Sequence, residues 1–512
     1  MTTDKIYDVI IIGCGPVGAV AANLLGQAGH SVLVLEQFEG AFPLPRAVHL
    51  DHEMMRLFQQ MGLVERILPL TRETQGHMHL GADGDVIRYM GSVGKPKRFG
   101  WANDYFFYQP ELEAILREGF QRFASIDFRR GVTVTGVQDG AEFCDVTAGP
   151  ASYHGRFVIG CDGARSPVRN SLGIALHDLD FEEAWLVVDA DVDGPISFPG
   201  IPGLPEGADV QQLSVMTCDP KRPATIVPGR GRHRRWEFML LPGESEAAIV
   251  EPAAIHALID PWLQGCRYDI VRTATYKFNA RVARQWRKGH VFLAGDAAHQ
   301  TPPFFGQGMC HGLRDASNLV FKLDLVLRGL AGEALLDTYQ QERDPQVRHV
   351  IGAAVAAGRY ICELDPAKAA ERDLALRRKQ REGGDIATAA DLIAPYAEGL
   401  VADGAGERFV QPSLRVGDRE VRLDDATGQG FVLLTRQPVN HPLIERLGIQ
   451  VFNVDGHDTL EDLLKEHAAD GVLLRPDHYV YGWARQAQPV TNLLDRLGEQ
   501  LARQNVRIAH HA

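Results

Sequence analysis

The sequence has no surplus of basic residues, no long apolar run and no paired cysteines, and each absence removes a class of protein. Lys and Arg number 53 against 66 Asp and Glu, a formal net charge of -13, so nothing is left over to neutralise nucleic-acid phosphates or to adsorb on anionic membranes. No uninterrupted apolar stretch approaches the ~20 residues of a membrane span, and the opening "MTTDKIYDVIIIG" lacks a basic segment followed by a long apolar one. A cytoplasmic protein is expected. The seven cysteines (Cys14, Cys144, Cys161, Cys218, Cys266, Cys310 and Cys362) are scattered, with no Cys-x-x-Cys pair and no metal-ligand spacing. Free thiols in a reducing compartment and no metal centre are the expectation. Internal repeats and low-complexity tracts are missing too. What remains is a chain of 512 residues, 45% hydrophobic, long enough for two or three domains with substantial cores. Its partner is expected to be a small molecule.

The order of elements suggests an α/β fold with an insertion. "YDVIII" is a short apolar run ending in glycine, residues 16 to 28 have a helical pattern, and "SVLVLE" forms a second buried strand. From about residue 76 the pattern shifts to shorter polar and apolar alternation with glycines. A helix is expected at "QPELEAILREGFQRF", residues 109 to 123, and alternating strands with Pro/Gly turns at 181 to 275. The strand "HVFLAG" returns the chain to its first domain, and a helical stripe follows at 313, 316, 320, 323 and 327. The expected division is a discontinuous Rossmann-like domain (1–75, 109–180 and 276–395), an inserted and mainly antiparallel β-sheet domain (76–108 and 181–275), and a small α/β unit at 406–512.

Two stretches carry chemistry. "GCGPVG" places Gly13, Gly15 and Gly18 in G-x-G-x-x-G spacing between a strand and a helix, with Pro16 and Val17 inside the turn. The first glycine permits the turn, the second lets the backbone approach a pyrophosphate, and the third lets helix and strand pack. Glu36, with Gln37 after it, stands where a carboxylate accepts hydrogen bonds from a ribose. "GDAAHQTPPFFGQGMCHG", residues 295 to 312, then follows a buried strand. Asp296 could hold the ribityl hydroxyls of FAD or cap a helix. Gly306, Gln307, Gly308, Met309 and Cys310 would turn backbone N–H groups and a positive helix end toward a flavin.

With these stretches, "CDGARSPVR" (Asp162 to Arg169), "PRA" at 45 to 47, "YQPELEAIL" from 108 and "YQQERDP" from 339 resemble the class A, single-component FAD-dependent aromatic hydroxylases, the p-hydroxybenzoate hydroxylase superfamily. The resemblance spans nearly 350 residues and implies FAD, NADH or NADPH as reductant, dioxygen, and oxygen transfer through a flavin C4a-hydroperoxide. It implies that Arg46 and Gln109 contact the flavin region, with Arg46 also taking part in reduction. Asp162 would serve both FAD and the nicotinamide, and Pro303 would line the substrate pocket. Phe304 and Met239 are expected against the substrate, although Phe304 and Phe305 could equally be core packing. Arg169 could be functional or a structural tie.

"PRAVHLDHEMMRLFQQMGLVERILP", "CDPKRPATIVP" and "RRWEFMLLPGESE" look like the 3-(3-hydroxyphenyl)propionate hydroxylase group. That implies a phenolic acid hydroxylated ortho to its hydroxyl, with Arg222 or Arg235 as candidate for the carboxylate. The alternatives are a polycyclic polyketide or other tailoring substrate, or a silent FAD-binding scaffold. His49, His52, His299 and Tyr108 are the candidate bases. The C-terminal unit resembles a thioredoxin-like domain without cysteine, which excludes thiol chemistry there and leaves packing or a homodimer interface. Many relatives have asparagine where this chain has Cys310, leaving a buried thiol or a covalent flavin link to explain it.

Overall fold

A computed structural model describes residues 2–40, 44–383, 389–485 and 489–503. Its first sheet is parallel at the centre: Val291–Leu293, Ala151–Gly160, Thr2–Ile12, Val32–Leu35 and Ile126–Arg129 lie side by side in that order, all in one direction. Val9, Ile10, Ile11, Val32, Leu33 and Val34 are completely buried. Helices cover both faces of such a sheet, so its strands read as unbroken apolar runs. Because the strands are parallel, residues following Ile12, Leu35, Gly160 and Leu293 emerge at one edge. That edge gathers the 13–18 turn, Glu36, Asp162 and Asp296 from four distant parts of the chain.

The second sheet has eight strands, in the order His299–Gln300, Tyr268–Ala283, Leu176–Val192, His233–Met239, Ala224–Val227, Ser214–Thr217, Gly76–Leu80 and Val86–Gly91. All neighbours are antiparallel except Ser214–Thr217 against Gly76–Leu80. Tyr268–Ala283 runs through the boundary expected at 275, and Leu176–Val192 passes the one expected at 180 with a shift of register between Asp178 and Glu182. Asp104–Phe107, expected in this sheet, instead joins His49–Asp51 and Thr71–Thr74 in a separate three-stranded sheet. Polar and apolar alternation reveals a strand but not its neighbour, and here the neighbours are remote in sequence.

The last unit is a four-stranded sheet, ordered Gln450–Asn453, Val432–Thr435, Gly471–Leu474 and Val480–Ala484, with the first pair parallel and the others antiparallel. Helices Pro442–Leu447, Asp458–Glu466 and Val490–Ala502 accompany it. A buried ionic knot fastens it to the first half. Glu342, on the helix Thr338–Ile361, accepts hydrogen bonds from Lys322 (2.8 Å), Arg475 (2.7 Å), Asn318 (2.6 Å) and the Leu400 amide (2.7 Å). Among the described residues no helix is long and apolar enough to cross a membrane.

Burial alone would raise the Glu342 pKa, but Arg475 and Lys322 outweigh it and hold it near 2. The knot therefore contributes its full stability above the ordinary carboxylate pKa of 4.5 and loses it as pH falls toward 2. Glu342→Ala leaves two cations buried without their partner, so the urea midpoint is expected to fall by the equivalent of about 3–5 kcal/mol at neutral pH. The loss should shrink in acid, as wild type loses the same contribution.

Candidate active site

The three glycines of the first turn have separate jobs. Gly13 has φ +93°, and a Cβ there would stand 2.4 Å from the Cys161 carbonyl oxygen. A Cβ at Gly18 would stand 2.0 Å from the Gly13 carbonyl oxygen, so helix Pro16–Gln27 packs on the turn only as glycine. Gly15 has nothing within 4 Å; its open side is where another molecule's backbone-hugging group can approach. Glu36 is oriented at its strand end by accepting from the amides of Cys14 (2.7 Å) and Phe38 (2.9 Å). Gln37 is exposed to solvent.

A cavity of about 370 Å³ begins at Gly15, Pro16 and Val17 and runs between the first sheet's edge and the second sheet. Arg46, Gln109, Asp296, Pro303, Gly306, Gly308 and Met309 line it as well. Gln109 holds the 46–47 backbone, accepting from the amides of Arg46 (3.2 Å) and Ala47 (2.6 Å). Asp162 lies between two lining residues, Cys161 and Gly163. Its Oδ2 accepts from the Val168 amide at 2.9 Å while its buried Oδ1 has no partner. Arg169 is a structural tie, donating to the carbonyls of Ala297 and Ala164, each at 2.9 Å.

The 295–312 stretch divides by what its side chains touch. Gly306 takes φ +63° and ends the short turn Pro303–Phe305 before helix Gly308–Leu327 begins. Asp315, inside that helix, accepts from the Gly295 amide (3.0 Å), His299 Nε2 (2.7 Å) and Arg343 (2.9 Å). His299 is thereby occupied in the scaffold. Gln307 is buried, accepts from Arg314 at 3.1 Å and, unlike its neighbours Gly306 and Gly308, does not line the cavity.

Phe304 and Met239, expected against a substrate, are corrected by the structure: neither lines the cavity. Phe304 packs edge-on against Phe181 and Trp185 behind Pro303, and Met239 is buried opposite Trp185. Cys310 is fully buried away from the cavity, its thiol pushed well up by burial, so it fills space and is not placed to bond a flavin. His52 points elsewhere, stacking on Phe99 at 4.2 Å.

The far wall was not foreseen. Register aligns Met216, Thr225, Glu237 and Val187 in one row, and Val227, Arg235, Asp189 and Arg272 in the next on the same face. His77, beside Ser214, completes it. The period-two alternation of "RRWEFM" could have exposed Arg235 and Glu237, but no local signal shows that strands 76–80 and 214–217 meet. Arg235 grips Asp189 through Nε (2.8 Å) and Nη2 (3.0 Å), and donates to the carbonyls of Pro45 and Arg46. Arg272 donates to Pro45 and lies over the Tyr276 ring at 4.8 Å. Arg222 bonds Glu244 and Met239. Burial pushes Glu237 up to about 6, against the pull of Arg235.

A nitrogen of His49, one of His77 and a carboxylate oxygen of Asp104 lie within 4.8 Å of one another, the one such trio among the described residues. His49 Nε2 to Asp104 Oδ1 is 2.7 Å, shorter than the roughly 3.3 Å separating two ligands on a tetrahedral zinc with bonds of about 2.0–2.1 Å. They are hydrogen-bond partners, not a ligand set.

The residues present fit FAD. The open side of Gly15 and the start of helix Pro16–Gln27 suit a pyrophosphate, Glu36 a ribose, Asp296 a polyol, and the 306–309 backbone a flavin ring. The unpartnered buried oxygens of Asp162 and Thr301 are polar groups awaiting a ligand of this kind. This combination, joined to an adjacent chamber walled by a second sheet, defines a flavin-dependent aromatic hydroxylase. The chain belongs to the FAD binding domain family, whose pattern matches residues 6–354.

It is 34% identical, over 96% of its length and 95% of the other protein's, to a probable NADH-specific resorcinol 4-hydroxylase of Rhodococcus jostii. A 3-(3-hydroxy-phenyl)propionate/3-hydroxycinnamic acid hydroxylase of Mycolicibacterium smegmatis is 35% identical, over 85% of this chain and 78% of that one. Among solved structures, aklavinone-11 hydroxylase with FAD and aklavinone superposes with a TM-score of 0.78 at 22% identity, covering 98% of this chain and all of that one. Gly18→Ala is expected to purify with little or no flavin absorbance, since its Cβ would push the Gly13 carbonyl aside and distort the turn where a pyrophosphate would lie.

Proposed function

We propose that the chain uses FAD, NADH and dioxygen to hydroxylate a single-ring phenol that bears no acid group, resorcinol being the type, at a carbon ortho to an existing hydroxyl. The charge of the inner wall carries this reading. Its two arginines, Arg235 and Arg272, are engaged by Asp189 and by the carbonyls at 45 and 46. The groups that remain turned to the cavity include Glu237, Thr225, Ser214 and His77. A substrate carboxylate would face the like charge of Glu237, whereas a hydroxyl can donate to it. A cavity of about 370 Å³ that must also admit the flavin ring favours one ring over a polycyclic skeleton. The resorcinol 4-hydroxylase relative, similar from end to end, supports both the substrate class and the reductant.

Bound FAD, reduced by the nicotinamide, supplies the activated oxygen. The protein's part is placement and shelter. Pro303 presents a rigid face backed by Phe304 and Phe305, which exclude water from the reacting ring. Gln109 fixes the Arg46 backbone beside that face. The phenylpropanoid acids are the second reading, favoured by the 35% identical relative and by exposed Arg46 at the cavity, a cation within reach of a carboxylate. We also infer that the C-terminal unit is thioredoxin-like. Its strand order and its mixed pairing support that reading, and with no cysteine after Cys362 it would serve as a packing or dimer surface.

Resorcinol is expected to stimulate NADH oxidation and to emerge with one added oxygen by mass spectrometry. Turnover of 3-(3-hydroxyphenyl)propionate with no response to resorcinol would reverse the assignment. Glu237→Gln should raise KM for resorcinol about tenfold at neutral pH, the worth of one charge-assisted hydrogen bond. In wild type, KM should rise as pH falls through about 6, where Glu237 takes up its proton.

A further inference from the structure

The geometry points to His77, backed by the His49–Asp104 pair, as the group that takes the phenolic proton of the substrate. This rests on the reading of the cavity as a phenol site, and it concerns the step that makes the ring a strong enough nucleophile to accept oxygen. His77 lines the cavity from the strand Gly76–Leu80, yet it is almost fully buried and neither ring nitrogen has a hydrogen-bond partner. Two unsatisfied nitrogens in a buried ring are costly unless a ligand completes them. A phenolic hydroxyl is a ligand of the right polarity, because a neutral imidazole offers one acceptor nitrogen.

The neighbours decide the direction of transfer. The His49 ring centroid is 5.1 Å from that of His77. His49 Nε2 lies 2.7 Å from Asp104 Oδ1, a contact that places its proton on Nε2 in the neutral ring. Nδ1 is then the acceptor. It lies 3.4 Å from the carbonyl of Gly306, where a proton arriving on Nδ1 finds an oxygen to bond.

The step balances within these groups. The phenol O–H bond breaks, its proton bonds to one His77 nitrogen, and the other His77 nitrogen passes a proton to His49 Nδ1. One nitrogen of His77 lies within 4.8 Å of a nitrogen of His49, a gap that a turn of the His77 ring must close for the proton to pass. A phenolate is left in the cavity, and an imidazolium held by Asp104 and Gly306 is left in the wall. No oxidant is consumed.

The surrounding charges fit these roles. Burial foremost, joined by His49 whenever that ring carries its extra proton, lowers His77 to about 4 and keeps it neutral. Burial opposes charge on His49, but Asp104 outweighs it, with lesser help from Asp51 and Gly306, and its pKa is raised above the ordinary 6.5. From its own strand His77 is faced by His79, whose Nδ1 accepts the Tyr360 hydroxyl at 2.6 Å. Across the cavity stand Glu237, Arg235, Arg46, Arg272, Tyr276 and Asp296. The relay is open when His49 is neutral, so turnover rises with pH through the raised His49 pKa. His49 and Asp104 are positioning residues; of the three, His77 is the one that touches the substrate.

The test uses FAD-loaded enzyme and 4-nitrophenol, whose ionised form is coloured. On wild type the bound probe is expected to ionise at least one pH unit below the free probe. In His77→Gln and His49→Gln, checked for full flavin content, that displacement disappears. In Glu237→Gln it persists. His77→Gln should also lower kcat about 10²–10⁴-fold near neutrality with KM little changed, and recover as pH approaches the substrate's own pKa. Asp104→Asn should move the rising limb of the pH profile to lower pH. The proposal is overturned by a wild-type enzyme that binds the probe without displacement, by a displacement that survives His77→Gln, or by one that follows Glu237 instead. Resorcinol failing as substrate while the displacement stands would count against the proposed function alone.

Discussion

Asp189 and Arg235 make the interaction on which the site depends. Both are buried, and they bind each other through two hydrogen bonds from neighbouring strands of the second sheet. A pair this deep would gain little by itself, because desolvating two charges offsets most of their attraction. Its value lies in what the guanidinium does with its other protons. It donates them to the carbonyls of Pro45 and Arg46, and Arg272 adds another to Pro45. From the opposite side Gln109 holds the amides of Arg46 and Ala47. The 45–47 backbone is thus suspended between the second sheet and the start of helix Gln109–Phe120, and it meets the cavity at a fixed place.

A second buried carboxylate does the same work for the other side of the chamber. Asp315 joins the strand end at Gly295, the ring of His299 and the guanidinium of Arg343. The loop that follows His299 therefore starts from a fixed point, and Pro303 and Gly306 reach the cavity at defined places. Two anionic hubs, one per wall, add orientation to an apolar core that is itself continuous from the first sheet to Trp185, Met216 and Met239 of the second. A core could not do this, since packing alone does not orient a backbone carbonyl.

What was legible in the sequence follows from how local its cause is. The Gly13, Gly15 and Gly18 turn could be read because close approach is decided within six residues, and Asp296 because it follows a strand end. Gly306 was found for the same reason. The inner wall was not legible: His77, Ser214, Thr225 and Glu237 come from four strands, and the strand Gly76–Leu80 finds its neighbour Ser214–Thr217 only through a long crossover. Composition misled at Phe304 and Met239, where an apolar side chain near a cavity turned out to support the wall from behind. His299 looked like a candidate base from its position in the motif, but position says nothing about an Asp315 waiting a helical segment later.

The order of strands also governs how such a chain can come together. The parallel sheet is incomplete until Val291–Leu293 joins it, and the antiparallel sheet is incomplete until His299–Gln300 closes its edge. These two short strands are only a few residues apart, and everything they close lies upstream. During synthesis neither half can finish ahead of the other, however early its first strand leaves the ribosome. Both sheets can therefore be completed only once this one short segment has been made, and the cofactor site shares that requirement with the chamber it serves.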